Sequence, residues 1–341
     1  MPSALPTISD VAQRAGVGIA TVSRVLNGGQ VRPQTRTRVL AAIEELGYRP
    51  ADNARSLARG RRETLGVIVP FFTHPSAVQR LRGVLEVMGD DPIQVVAFNV
   101  ATVEQRDRQL NQLRMLERTA GVIIVNLWPS DDDVAALHRA GIAAVLLDAE
   151  HPDLTRITVD DVHGGELATD HLLSLGHTRI AFIGDEWPAG YGFRSSDRRH
   201  QGYERALHRA GVAVRAEYLR QGPHGRDTAH RLTRELLARP EPPTAIFAAS
   251  DTQALGVLEA VAAAGLRVPQ DVSVIGFDDL EIAPYVGLTT IRQPLEHSGR
   301  RATELLMRSL RTGHDPIEER LPLELIVRHT TQRLRAGSIG R

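Results

Sequence analysis

The sequence predicts an α/β protein: an N-terminal all-α helix-turn-helix head, then a larger two-lobed body built on parallel sheets. Three observations lead there. Residues 7–47 carry only short helical periodicities, whereas from Thr64 onward strand-length apolar runs alternate with helical stretches. Residues 48–63, between these zones, read as a linker with room for a turn or two of helix. The alternating part runs to about 270 residues, large for one sheet, so two lobes are expected.

In the head, the first helix is expected to begin at Thr7, with Asp10 three residues on in capping-box spacing. Ile8, Val11 and Ala12 form its apolar stripe, and Gly16 suits a left-handed end. Residues 19–26 read as a second helix, with Val22, Val25 and Leu26 inward and Thr21, Ser23, Arg24 and Asn27 outward. Pro33 opens a third helix, with Val39, Ile43 and Leu46 buried and Gly47 as the stop. A small helical cap or docking domain is the alternative. The tight Ala15-Gly16-Val17 turn favours a helix-turn-helix, whose second helix enters the major groove of DNA. Gln13, Arg14, Ser23 and Arg36 then suit phosphates, while Ile19, Ala20 and Arg24 face base edges. An arginine can bond guanine O6 and N7 together.

In the body, strands are expected at 65–69, 93–99, 121–126, 143–148, 180–184, 245–249 and 272–277. Helical periodicity lies between them, for example at 104–118, 164–175 and 252–264. Ligands of open parallel sheets bind beyond the carboxyl ends of strands. That singles out Asp148, Ser250 and Asp278, each at the end of a strand.

Composition excludes much. There is no cysteine, hence no disulfide, thiolate nucleophile or cysteine metal site, and neither cofactor nor metal is expected. All 41 basic residues are arginine, which rules out a Walker-type phosphate lysine and a Schiff-base lysine. No apolar run approaches the roughly 20 residues of a membrane span. The first residues lack the pattern of a secretory signal, so a cytoplasmic location is expected. Net charge is zero overall but uneven: residues 1–63 carry ten arginines against five acids. A basic head on an acidic body suits contact with a polyanion.

Ile8-Ser-Asp-Val-Ala-Gln-Arg-Ala-Gly-Val17, followed by Ala20-Thr-Val-Ser-Arg-Val-Leu-Asn27, resembles the LacI family of bacterial transcription regulators. So do Ser250-Asp-Thr-Gln-Ala-Leu-Gly256, the 268–279 stretch ending Gly-Phe-Asp-Asp279, and Leu288-Thr-Thr-Ile-Arg-Gln-Pro294. The likeness continues through nearly the whole chain. It departs at Gly18, where the family usually carries serine at the cap of the recognition helix.

The resemblance implies a DNA-binding domain over 1–50, a hinge helix and linker over 51–63, and a periplasmic-binding-protein-like body over 64–333. Lobe one would take about 64–162 and 293–319, lobe two about 163–292 and 320–333, and 334–341 would form a tail. Asn53 and Leu57 fall in the hinge. From composition alone Leu57 is an ordinary linker residue; the resemblance makes it a wedge into the minor groove, which kinks DNA. The implied DNA contacts are Ile19, Ala20, Thr21, Ser23, Arg24, Asn27, Arg36, Asn53 and Leu57.

Effector contacts are expected from Phe72, Trp128, Asp148, Phe193, Ser195, Arg199, His224, Ser250 and Asp278. Arg199 is expected to open a helix where the family contacts its effector, and His224 stands where relatives often place a stacking aromatic. Asp251 and Asp279 are expected to cap helices or tie strand ends. Carboxylates and a guanidinium in one cleft suit a polyhydroxylated ligand, a mono- or oligosaccharide. Ser76 and Ala77 stand where purine-binding relatives carry aromatics, which favours a sugar over a purine. The tail lacks a heptad repeat, so a homodimer on a palindromic operator is expected.

Two other classes fit parts of the chain. A sugar transport receptor would share the body but needs export and no helical head. A glycosidase using Asp148 and Asp278 would need only paired acids in a cleft.

Overall fold

The computed structural model describes residues 6–26, 29–48, 64–89, 93–115, 119–187, 192–312 and 315–334. The expectations for Asn27, Asn53, Leu57 and the hinge helix lie outside these residues. The chain divides into two units, Met1–Glu63 and Thr64–Arg341.

The first unit holds three helices, α1 (Ile8–Ala15), α2 (Ile19–Leu26) and α3 (Pro33–Leu46). Thr7 and Asp10 form the capping box, the Thr7 amide donating to the Asp10 carboxylate at 2.7 Å. Gly16 ends α1 at φ 62, where a Cβ would be strained. Val11, Val22 and Val39 are fully buried and Tyr48 joins them. Ile43 and Leu46, expected inside, are only partly buried, because so small a unit has little interior.

The second unit contains β1 (Thr64–Pro70), β2 (Gln94–Val100), β3 (Thr119–Val125), β4 (Ala143–Leu147), β5 (Thr155–Val159) and β6 (Ile180–Asp185). It continues with β7 (Leu219–Gly222), β8 (Ala245–Ala248), β9 (Ser273–Asp278), β10 (Thr289–Arg292), β11 (Glu318–Leu321) and β12 (Glu324–Ile326). Its helices are α4 (Pro75–Met88), α5 (Val103–Met115), α6 (Asp131–Arg139), α7 (Asp161–Ser174), α8 (Ser195–Arg209), α9 (Arg226–Leu237), α10 (Asp251–Ala263) and α11 (Leu295–Thr312).

Two six-stranded sheets result, ordered β11-β5-β4-β3-β1-β2 and β12-β10-β9-β8-β6-β7. Strands buried on both faces read as continuous apolar runs, and here they divide by alternation. Leu65, Val67 and Val69 of β1 pack with Ala302, Leu305 and Leu306 of α11, while Ile68 packs on the opposite face with Val134 and Leu137 of α6. In β6, Ala181 and Ile183 meet α9 and α10, and Ile180 and Phe182 meet α7 and α8.

The chain passes between sheets three times: from β5 to α7, from β10 to α11, and from β11 to β12. The last passage comes slightly later than 319–320, because Leu321 still pairs with Val159 in the first sheet. The resulting lobes each hold a pair of closely crossed helices. A Cβ at Gly299 of α11 would stand 2.0 Å from the Arg80 carbonyl of α4, and one at Gly165 of α7 would stand 2.2 Å from the Arg199 carbonyl of α8. Both contacts fix the backbone of an arginine in the cleft.

Candidate ligand cleft and nucleic-acid interface

Strand order reverses between β1 and β3 in one sheet and between β6 and β8 in the other. Crevices open at the carboxyl ends there. Among the described residues, the non-glycines with positive φ are Phe71, Asn126, Asp148, Asp278 and Asp279, all at or just beyond such strand ends. Backbone of this kind concentrates where side chains must be aimed rather than merely packed.

A buried chain of charge crosses the cleft. Asp148 is paired with Arg80, and their side chains are 6% and 5% exposed. The same Arg80 nitrogen lies 3.4 Å from Gln293 Oε1, and the Gln293 amide donates to Asp278. Asp278 lies 3.8 Å from Arg199, whose Nε donates to Asp161 at 2.8 Å and whose Nη1 donates to the Ala249 carbonyl at 2.6 Å. The guanidinium also sits 3.7 Å above the Phe277 ring. Burial raises the carboxyl pKa of Asp161 and Asp278, opposed in both by Arg199. A charged group this deep is tolerable only when paired and hydrogen-bonded.

A second polar cluster faces it. His224 Nδ1 and the Gln253 amide both bond Asp185 Oδ1, at 3.0 and 2.9 Å. His224 stacks on His74 across the lobes, ring centroids 4.8 Å apart. Burial lowers the His74 pKa to about 4, helped by the neighbouring His224 charge and opposed by Asp185. For His224, burial acts downward, but the hydrogen bond and charge of Asp185 outweigh it and raise the pKa.

Aromatic rings complete the walls. Trp187 lies between Phe71 and Phe193, at 5.3 and 4.9 Å. Arg194 stands 4.4 Å over Trp128. A space of about 40 Å³ remains among Arg80, Asn126, Trp187 and His224. Cavities of about 430 and 460 Å³ flank it, the first beside Trp128 and Arg194, the second beside Phe71 and His74.

Of the effector residues expected from sequence, Trp128, Phe193 and His224 line these spaces. Asp148, Arg199 and Asp278 are brought together in the charge chain. Ser195 is buried and its hydroxyl lies 3.4 Å from Asn126. Three residues sit differently from their expected places. Phe72 is 41% exposed, and its neighbour Phe71, in a left-handed turn just beyond β1, lines the cleft instead. Ser250 caps α10, its hydroxyl accepting from the Gln253 backbone amide. Arg199 lies in the second turn of α8, which begins at Ser195.

Asp251 ties strand ends together, accepting from the Leu280 amide and the Thr290 hydroxyl. Asp279 is held by Arg292 and Arg328. Sequence reasoning missed Arg80, His74, Asp185 and Gln293. Gln293 and Asp185 carried a usable signal, since each stands at a strand end. Arg80 in mid-helix carried none.

On the head, Ile19, Ala20 and Arg24 are exposed on α2, with Thr21 and Ser23 half-buried beside them. Arg36 donates to the Gly29 carbonyl at 2.8 Å, and Arg14 pairs with Glu45 at 2.5 Å. No helix among the described residues is long and apolar enough to cross a membrane.

Comparisons with known proteins agree with this layout. Residues 7–51 match the family of bacterial regulatory proteins of the lacI type, and residues 169–331 match a periplasmic binding protein-like domain. The HTH-type transcriptional repressor PurR of Photobacterium profundum is 32% identical over 97% of this chain and 100% of its own length. The transcriptional regulator CelR in complex with cellobiose superposes with a TM-score of 0.69 at 33% identity, over 95% of this chain and 99% of that one. The lac repressor dimer bound to operator and the anti-inducer ONPF superposes with a TM-score of 0.75 at 30% identity, over 96% and 99%.

Proposed function

The chain belongs to the LacI family of bacterial regulatory proteins, DNA-binding transcriptional repressors and not enzymes, and from that premise we propose a specific mode of action. The protein binds a palindromic operator as a homodimer in the cytoplasm, and a saccharide held between its lobes controls that binding. The observation that carries the saccharide is the buried chain from Asp148 and Arg80 to Asp278 and Arg199, set against aromatic walls. Paired carboxylates and guanidinia fix the directions of hydroxyl groups, and ring faces take the C–H surface of a sugar. The cellobiose complex of the similar regulator CelR supports this class.

In this reading α2 enters the major groove. Ile19, Ala20 and Arg24 meet base edges, while Thr21, Ser23, Asn27 and Arg36 secure register on the backbone. Asn53 and Leu57 act at the minor groove, Leu57 as the wedge. Arg36 reaches phosphate only by sharing or leaving its bond to Gly29.

The inner space of about 40 Å³ holds little more than one water molecule. A sugar ring therefore binds there only when the lobes part. Ligand and DNA are linked if the parted and closed states differ in operator affinity.

Selection of bound sequences from a random DNA pool tests this, using full-length protein near physiological salt with and without a saccharide panel. Enrichment of a palindrome, altered by one saccharide, is the expected result. Absence of any enriched sequence under every condition contradicts the operator assignment.

A further inference from the structure

The cavity beside Trp128 is roomier than the space over the charge chain. At about 430 Å³ it falls within the roughly 300–1,000 Å³ of small-molecule sites. Trp187 and Phe193 line both spaces, so the cavity continues the inner cleft outward.

Its chemistry is mixed. Asp185 already accepts from His224 and Gln253, so its charge is engaged on the inner side. Arg106 is engaged too, donating to Asp107 at 2.8 Å, and Arg194 lines the cavity together with Glu186 and Asp197. A phosphate or carboxylate ligand would meet both acids. A neutral ligand whose hydroxyls donate and accept meets matching partners on every side. Arg194 is held over Trp128 at 4.4 Å, which steadies its planar fork for adjacent hydroxyls. Trp128, Trp187 and Phe193 supply apolar ring faces.

We propose that this outer cavity is a second subsite, taking the outer ring of an oligosaccharide, so that the effector is a disaccharide or longer. The proposal rests on the saccharide reading above. Arg194 and Asp197 sit at the exposed start of α8, while Arg199 lies one turn further along and buried. One helix thus presents a separate group to each ring.

The test is isothermal titration calorimetry on the full-length protein. Glucose, galactose and xylose are compared with cellobiose, maltose, lactose and xylobiose, on the wild type and on variants of two residues that line the cavity, Arg194→Ala and Gln221→Ala. Both positions are exposed, so folding is expected to survive, and a thermal melt checks it. One disaccharide is expected to bind about tenfold or more tighter than its constituent monosaccharides. Each substitution should remove most of that difference and leave the monosaccharide affinity within about twofold. Equal affinity for a disaccharide and its monosaccharides, or an equal loss of both in Arg194→Ala, overturns the second subsite and leaves the saccharide reading standing. Binding of no saccharide at all overturns both.

Discussion

Gly165 of α7 lies so close to Arg199 of α8 that a Cβ at 165 would stand 2.2 Å from the Arg199 carbonyl oxygen. The side chain that crosses the cleft floor is therefore positioned by a residue with no side chain. Gly165→Ala must push the two helices apart. Overpacking of this kind costs about 1–3 kcal/mol. Urea unfolding should show that loss, and ligand affinity should fall with it because the Arg199–Asp161 bond at 2.8 Å is disturbed. A variant as stable as the wild type would mean that the helices separate freely.

The Arg80–Asp148 pair is almost fully removed from water. Truncating one partner leaves the other charge buried and alone, at a cost of about 3–5 kcal/mol. Arg80→Met and Asp148→Leu should each show that loss, and the double variant should recover much of it. A double-mutant cycle with no coupling would contradict the pairing.

The two histidines that stack across the lobes titrate in opposite senses. His74 has a folded pKa of about 4, below its ordinary value, so the unfolded chain binds the proton more readily. Its contribution is complete above about pH 6.5 and is lost as pH falls toward about 4. His224, raised by Asp185 against its burial, contributes fully below its ordinary pKa and less as pH rises through the folded value. His74→Phe should flatten the acid limb of the stability profile by on the order of 1 kcal/mol between pH 7 and 5, after screening at this half-buried site. Parallel profiles for wild type and variant would show that the stack does not titrate.

Gly18 precedes α2, and its carbonyl accepts from the Thr21 and Val22 amides at 2.8 and 3.2 Å. A Cβ there would meet nothing within 4 Å. Gly18→Ser adds a capping oxygen without a clash, for a gain of a few tenths of a kcal/mol in the head. Operator affinity by fluorescence anisotropy should rise modestly. A fall would show that glycine is required against the DNA backbone.

Much of this was legible in the sequence because the signals were local. Thr7 and Asp10 announce the capping box, Gly16 the helix end, and the apolar run of β1 a doubly buried strand. The short polar strands were not legible. Thr289–Arg292 offers two threonines and an arginine, and its Thr290 hydroxyl is spent on Asp251. Glu318–Leu321 lies at a sheet edge where alternation is weak. In the cleft, the strand ends pointed to Asp148 and Asp278, while Asp185 and Gln293 at other strand ends were passed over and Arg80 and His74 carried no local signal. Arg80 joins the charge chain only because α4 crosses α11 at Gly299, a relationship between positions far apart in sequence. Ser250 shows how a strand-end serine can also cap the next helix, a role visible only once the Gln253 backbone amide is seen to donate to it.

In the proposed function, a ligand between the lobes sets operator affinity. The most direct measurement is the Kd of full-length protein for its selected operator, by anisotropy, with and without a saturating saccharide shown by calorimetry to bind. A change of about 5–150-fold is expected, with the same factor appearing in saccharide affinity when operator is present. An operator Kd unchanged while the saccharide is bound would contradict it.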